Sequence, residues 1–175
     1  RPAYREIYYR DRATGGGAVQ DALTHVINAA QYLIGPIDRL VADAAHQVLD
    51  GVQVEDTAGV LARHGGVLAA YSLNQHQAPN EVTITVVCER GTCRFELHRH
   101  RWMWMNRPDT TWQEECFDGL QRDDLFLAQA ASFLDVLDGQ AEPLCGLGEA
   151  IQTLRVNLGA LASVEDGGWK AIEVR

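Results

Sequence analysis

Apolar side chains fall at Val19, Ala22, Leu23, Val26, Ile27, Ala30, Leu33 and Ile34, the i, i+3, i+4, i+7 spacing of a helix with one buried stripe. Gly15, Gly16 and Gly17 precede the stripe and Gly35-Pro36 closes it, so residues 14–34 are predicted to be a glycine loop opening into a helix. Elsewhere in the first two thirds of the chain the period drops to two. Residues 4–10 and 37–48 read as strands. Residues 54–64 and 67–75 form a hairpin about Gly65-Gly66, and 81–88 and 92–98 a second about Glu89-Arg90-Gly91. Two more strands, 101–105 and 112–117, follow, with Trp102 and Trp104 on one face and Met103 and Met105 on the other. Near Arg122 the helical period returns: Leu125, Phe126, Ala130, Phe133, Leu134 and Leu137 make one helix ending at Gly139. Residues 149–164 make another, stopped by Gly167-Gly168, and residues 169–174 close the chain as a strand.

The pattern predicts an α+β fold: an open, mostly antiparallel sheet of five to eight strands with helices packed on one face. The other sheet face needs a cover, and the aromatic-rich strands point to self-association. A chain of 175 residues is one domain's worth, long enough to bury about 70% of its unfolded surface. We therefore read residues 1–175 as a single domain.

Charge narrows the partners. A formal net charge of −9 excludes general nucleic-acid binding, which leans on a basic surface. Arg90, Arg94, Arg99, Arg101 and Arg107 concentrate positive charge just before the acidic stretch 114–124, a pattern read as a solvated strand face or an interface. No apolar run reaches the ~20 residues that span a bilayer. Cys88, Cys93, Cys116 and Cys145 form no CxxC and no zinc-ligand spacing. Cys88 and Cys93 flank a predicted turn, so a disulfide is open to them, but a reduced, cytoplasmic protein is the preferred reading.

Candidate chemistry gathers on the first helix. Asp21, His25, Asn28 and Tyr32 lie three or four residues apart, so they share a face beside the apolar stripe. Asp21 sits near the first turn, where the helix dipole favours a carboxylate, and His25 follows one turn later. The spacing admits two readings: a solvated polar face, or half of an acid–base site entered through the glycine loop. Other motifs carry less. Neither Gly15-Gly16-Gly17 nor Gly146-Leu147-Gly148 has the third glycine of a dinucleotide loop. His98 and His100, two apart on a predicted strand, lack a third metal ligand, so no metal is expected. Lys170, the only lysine, lies in the terminal strand and is a poor catalytic candidate.

GGGAVQDALTHVINAAQYLIG resembles the GGG-x-x-x-D-x-x-x-H helix of the Gfo/Idh/MocA family, the glucose–fructose oxidoreductase and inositol dehydrogenase group. Val54-Glu55-Asp56-Thr57-Ala58 resembles that family's VEDTA strand. The Glu89-Arg90-Gly91 turn, the helix running to Gly139 and the helix ending at Ala162-Ser163 follow in the family's order. The resemblance implies a dihydrodipicolinate-reductase-like C-terminal domain. It further implies an NAD- or NADP-dependent oxidoreductase acting on a sugar, polyol or related hydroxy compound. The cofactor would be held mainly by an N-terminal Rossmann domain absent from this chain, with a Glu-Lys-Pro lysine also absent here. Alone, the chain is then expected to be inactive.

In the implied chemistry His25 accepts the hydroxyl proton on oxidation and returns it on reduction, a task that suits imidazole, whose unperturbed pKa is about 6.5. Asp21 orients the substrate or the imidazole. Gly15, Gly16 and Gly17 admit the substrate close to the backbone, and Thr24, Arg10 and Arg12 contact its hydroxyls or a carboxylate. Where the family often has Asp, this chain has Asn28. The open sheet is expected to form a homodimer or homotetramer. The competing reading is a non-catalytic ligand-sensing or dimerisation module of the same fold.

Overall fold

The computed structural model describes Tyr9 and residues 11–174. In chain order the regular elements are α1 (Thr24–Ile34), β1 (Arg39–Ala45), β2 (Thr57–His64), β3 (Val67–Asn74), β4 (Thr83–Cys88), β5 (Gly91–Glu96), β6 (Arg101–Met105), β7 (Gln113–Cys116), α2 (Arg122–Leu137), α3 (Leu147–Asp166) and β8 (Lys170–Ala171). The strand expected over residues 4–10 lies outside the described residues except for Tyr9. The α+β class is the one observed. The expected run of strands forms two four-stranded antiparallel sheets, of order β3-β2-β1-β8 and β4-β5-β6-β7. Between β3 and β4 the chain is polar and carries Pro79, which has no N–H to continue a ladder. The sheets belong to separate compact units, residues 1–76 with 145–175, and residues 77–144.

In the first unit β2 alternates strictly: Ala58, Val60, Ala62 and His64 point inward, while Gly59, Leu61 and Arg63 face solvent. The inward face meets Val19, Leu23 and Ile27 before and within α1, and Val156, Ala160 and Leu161 of α3, in one buried cluster. Both helices thus lie on one side of this sheet. On the other side Val41, Leu61 and Ala70 stand in register across three strands, with Leu61 48% exposed. That is an apolar stripe without a cover in the described chain.

Polar groups fix the helices on the core. Ser163 Oγ accepts the Ala42 N–H at 2.9 Å and donates to Gly168 O at 2.7 Å. His64 joins the end of β2 to the helix exit: its Nδ1 lies 2.6 Å from Gly35 O and its Nε2 2.6 Å from the Tyr71 hydroxyl. Burial pushes that hydroxyl up to about 12. Gly159 lets α3 close on β8, since a Cβ there would lie 2.4 Å from Ile172 Cδ1. Alanine is the better helix former by about 1 kcal/mol, yet here it collides with a buried side chain. We expect Gly159→Ala to destabilise the protein by about 1–2 kcal/mol. Adding Ile172→Val, which removes the colliding methyl, should recover part of that loss in thermal denaturation.

In the second unit Trp102 and Trp104 share a face of β6 as expected, stacked at 4.5 Å, while Met103 is buried on the opposite face. A capping box opens α2: Gln121 donates its N–H to Asp124 Oδ2 at 2.8 Å. His98 and His100 do not share a strand face. Leu97–Arg99 form a 3₁₀ turn, and His100 takes φ 47° where the chain reverses into β6. The four cysteines are free and exposed. No helix among the described residues is long and apolar enough to cross a membrane. Nor do three or more His, Cys, Asp or Glu side chains among them gather as a metal would require.

Candidate functional site

The glycine loop is shaped from both ends. Asp11 accepts the Ala13 N–H on its side chain at 2.9 Å, and its carbonyl accepts the Gly16 N–H at 2.9 Å. Gly15 takes φ +86° and Gly17 φ +102°, left-handed values that favour glycine. Gly16 is packed rather than open: a Cβ there would lie 2.1 Å from the Tyr9 carbonyl oxygen. At Gly17 a Cβ would lie 2.4 Å from Glu55 Oε1, whereas at Gly15 it would meet nothing within 4 Å. Of the three glycines, Gly15 presents open backbone.

Past the loop the chain does not enter the α-helix directly. Val19–Leu23 form a π turn, in which the Thr24 N–H bonds back to Val19 O. Such widened turns recur at functional sites. The insertion shifts Asp21 relative to residues of α1 proper, so the i, i+4 spacing of an ideal helix does not apply across it. Asp21 is half-buried and its N–H bonds to Gly17 O at 3.0 Å. His25 is exposed, and no hydrogen bond or ion pair joins it to Asp21 among the described residues. The two residues stand on consecutive turns beside the loop.

The other expected site residues are dispersed. Thr24 faces α3, its Oγ1 accepting from Asn157 Nδ2 at 2.8 Å. It belongs to a polar seam: Asn28 Nδ2 donates to Thr153 Oγ1 at 3.2 Å and to Glu149 at 3.3 Å, and Gln31 Nε2 donates to Thr153 at 3.0 Å. Arg12 Nε meets the buried carboxylate of Glu55 at 3.2 Å. Arg12 also lines an open cleft of about 900 Å³ together with Asp11, Gly51, Val52, Gln53 and Val54. Arg10 lies outside the described residues.

Sequence reasoning placed Glu55 and Asp56 in the VEDTA-like segment without a site role and did not single out Tyr9 or Gln75; these four residues build the floor under the loop. Glu55 Oε1 accepts the Val19 N–H at 3.2 Å, and its carbonyl accepts the Ala18 N–H at 2.8 Å. The Tyr9 hydroxyl donates to Gln75 Oε1. Burial, and the carboxylates of Asp21, Glu55 and Asp56 in turn, push that phenol far above its usual range, against the opposing effect of the Gln75 bond. The negative charge of Asp21 is therefore felt inside the loop floor. Asp56 is fully buried and accepts the N–H groups of Gln47, Val48 and Leu49 at 3.0, 2.8 and 2.8 Å, and the Thr57 hydroxyl at 3.0 Å. The signal available in the sequence was the pair of adjacent carboxylates, Glu55 and Asp56, in the VEDTA-like segment.

One family model matches the part of the chain that holds this loop, the π turn and α1. The model, described as the GFO/IDH/MocA C-terminal domain, covers residues 1–94. The chain belongs to the GFO/IDH/MocA family. Solved structures share the fold of this GFO/IDH/MocA chain. Levoglucosan dehydrogenase in complex with NADH aligns with a TM-score of 0.87 at 15% identity, over 96% of this chain and 54% of that one. An oxidoreductase domain protein from Kribbella flavida gives 0.84 at 17% identity, over 95% and 53%. The WlbA dehydrogenase from Bordetella pertussis, in complex with NADH and UDP-GlcNAcA, gives 0.71 at 21% identity, over 98% and 51%. The chain thus spans about half the length of these proteins. No curated protein matches it by sequence.

Proposed function

We propose that this chain is the substrate-binding and catalytic-residue-bearing domain of an NAD- or NADP-dependent oxidoreductase acting on a sugar, polyol or related hydroxy compound. The observation that carries the proposal is the family match across the segment that joins the glycine loop, Asp21 and His25. Structural neighbours solved with NADH add support at the level of the cofactor. Open backbone at Gly15 and the exposed imidazole of His25 fit the approach of a substrate and a nicotinamide ring. The dinucleotide itself is held mainly by chain beyond these residues, and when bound it carries the hydride.

This chain's residues handle the proton. His25 takes it from the substrate hydroxyl as the alcohol is oxidised and returns it in the reverse direction. Asp21, one turn earlier and half-buried, orients the hydroxyl or the imidazole and stabilises the protonated form. Within the Gly15–Gly17 loop, Gly15 gives the substrate open backbone to lie against; Arg10 contacts its polar groups, while Thr24 and Arg12, also expected as contacts, are engaged by Asn157 and Glu55. The stripe of Val41, Leu61 and Ala70 joins two copies into a homodimer, or dimers into a tetramer. Four free cysteines suit a cytoplasmic location.

The test is nicotinamide reduction by the complete enzyme across a panel of polyols, sugars and sugar acids, run with NAD and with NADP. Turnover of a hydroxy compound is the expected result. A compound that binds without turnover would favour the ligand-sensing reading instead.

A further inference from the structure

Glu55 is a buried charge that the proposed proton chemistry does not use. Its side chain is 1% exposed, yet its carboxylate is engaged by two segments: Arg12 Nε at 3.2 Å and the Val19 N–H at 3.2 Å. Arg12 lies before the glycine run and Val19 after it, so one side chain ties both ends of the loop. Gly17 passes so close beneath that even a methyl group would strike Oε1. Burying a carboxylate costs several kcal/mol unless it is paired and hydrogen-bonded, and an apolar side chain of similar volume would fill the space at less cost. The charge therefore marks a geometric task. Asp21 hangs from the same loop, through its N–H on Gly17 O at 3.0 Å.

We infer that Glu55, with Arg12 as its counter-ion, is a positioning residue that fixes the glycine loop and the π turn bearing Asp21. The inference rests on the oxidoreductase reading and gives Arg12 a clamping role in place of substrate contact. The carboxylate acts through backbone and guanidinium and touches no substrate. Arg12 keeps one further charge partner, Glu165 of α3 at 3.9 Å, which is exposed and holds it weakly.

The experiment compares Glu55→Gln, Arg12→Gln and the double variant in the complete enzyme. Glutamine preserves shape at position 55 and breaks the Arg12 arm; Arg12 is 41% exposed, so its replacement spares the core. The expected result is a fall in kcat of about 10- to 100-fold with KM held within about threefold in each single variant. The double variant should be no worse than the worse single one, because both remove the same contact. Amide hydrogen exchange at Gly16 and Asp21 should quicken about tenfold while amides of β2 stay protected. Unchanged exchange at Gly16 and Asp21, losses that multiply in the double variant, or a raised KM with intact kcat in Arg12→Gln would each overturn the clamp. The two readings fail separately. A His25→Ala enzyme at the wild-type rate removes the acid–base role, whereas unchanged exchange in Glu55→Gln beside an inactive His25→Ala removes the clamp alone.

Discussion

Asp56→Ala is expected to lower the unfolding free energy by about 3 kcal/mol, since charged hydrogen bonds are worth roughly 1.5–3 kcal/mol each and their losses do not add fully. Asp56 is fully buried and gathers three consecutive backbone N–H groups, from Gln47, Val48 and Leu49, with the Thr57 hydroxyl as a fourth donor. Gln47 and Val48 are exposed and regain water when the carboxylate is removed, which keeps the loss below the sum of its parts. For a chain of this size the midpoint of thermal unfolding should fall by about 6–12 °C. Asp56→Asn keeps one acceptor oxygen and should lose less.

The same carboxylate gives stability a signature in pH. Burial by itself would raise its pKa, but the N–H donors of Leu49, Val48 and Gln47 and the Thr57 hydroxyl outweigh burial and hold it far below the usual carboxylate range. A group depressed in the folded state contributes stability that is complete above its unfolded pKa of about 3.9 and is lost as pH falls toward its folded value. Urea unfolding of wild type and Asp56→Asn should therefore differ most above about pH 5, and the gap should narrow below about pH 4.

His25→Ala and Asp21→Ala should each lower kcat of the complete enzyme by about 100-fold or more, the range for a lost general acid–base group. The loss in His25→Ala is not expected to come through folding. His25 is exposed and makes no hydrogen bond among the described residues, so its truncation should change stability by no more than about 0.5 kcal/mol. The backbone bond from Asp21 to Gly17 survives truncation to alanine. His25→Ala thus loses rate and keeps its melting temperature, while Asp56→Ala lowers the melting temperature.

Which features the sequence discloses follows from the range of the interactions behind them. The apolar stripe and Gly35 place α1, strict alternation places β2, and Gly65-Gly66 places the β2–β3 hairpin, because each is set by neighbours in the chain. The long-range clamps are invisible to such patterns: Glu55 reaches Val19 and Arg12 across 36 and 43 residues. They also explain the misplaced strand ends. β1 stops at Ala45, short of the expected residue 48, because the next N–H groups turn to Asp56. β2 starts at Thr57 because Glu55 and Asp56 are committed to the loops. Spacing puts Asp21 and His25 on one helix face, but the π turn that carries Asp21 is not visible in the sequence. Thr24 and Asn28 read as site face and lie in a polar seam with α3, which a stripe of apolar residues cannot reveal.

The most direct measurement is the pH dependence of kcat/KM for the complete enzyme, wild type beside His25→Ala, on the hydroxy compound that wild type oxidises best. The expected result is a pH-dependent rate in wild type and, in His25→Ala, a rate about 100-fold lower or more with an altered pH profile. A His25→Ala enzyme that matches wild type in both rate and pH profile would contradict it.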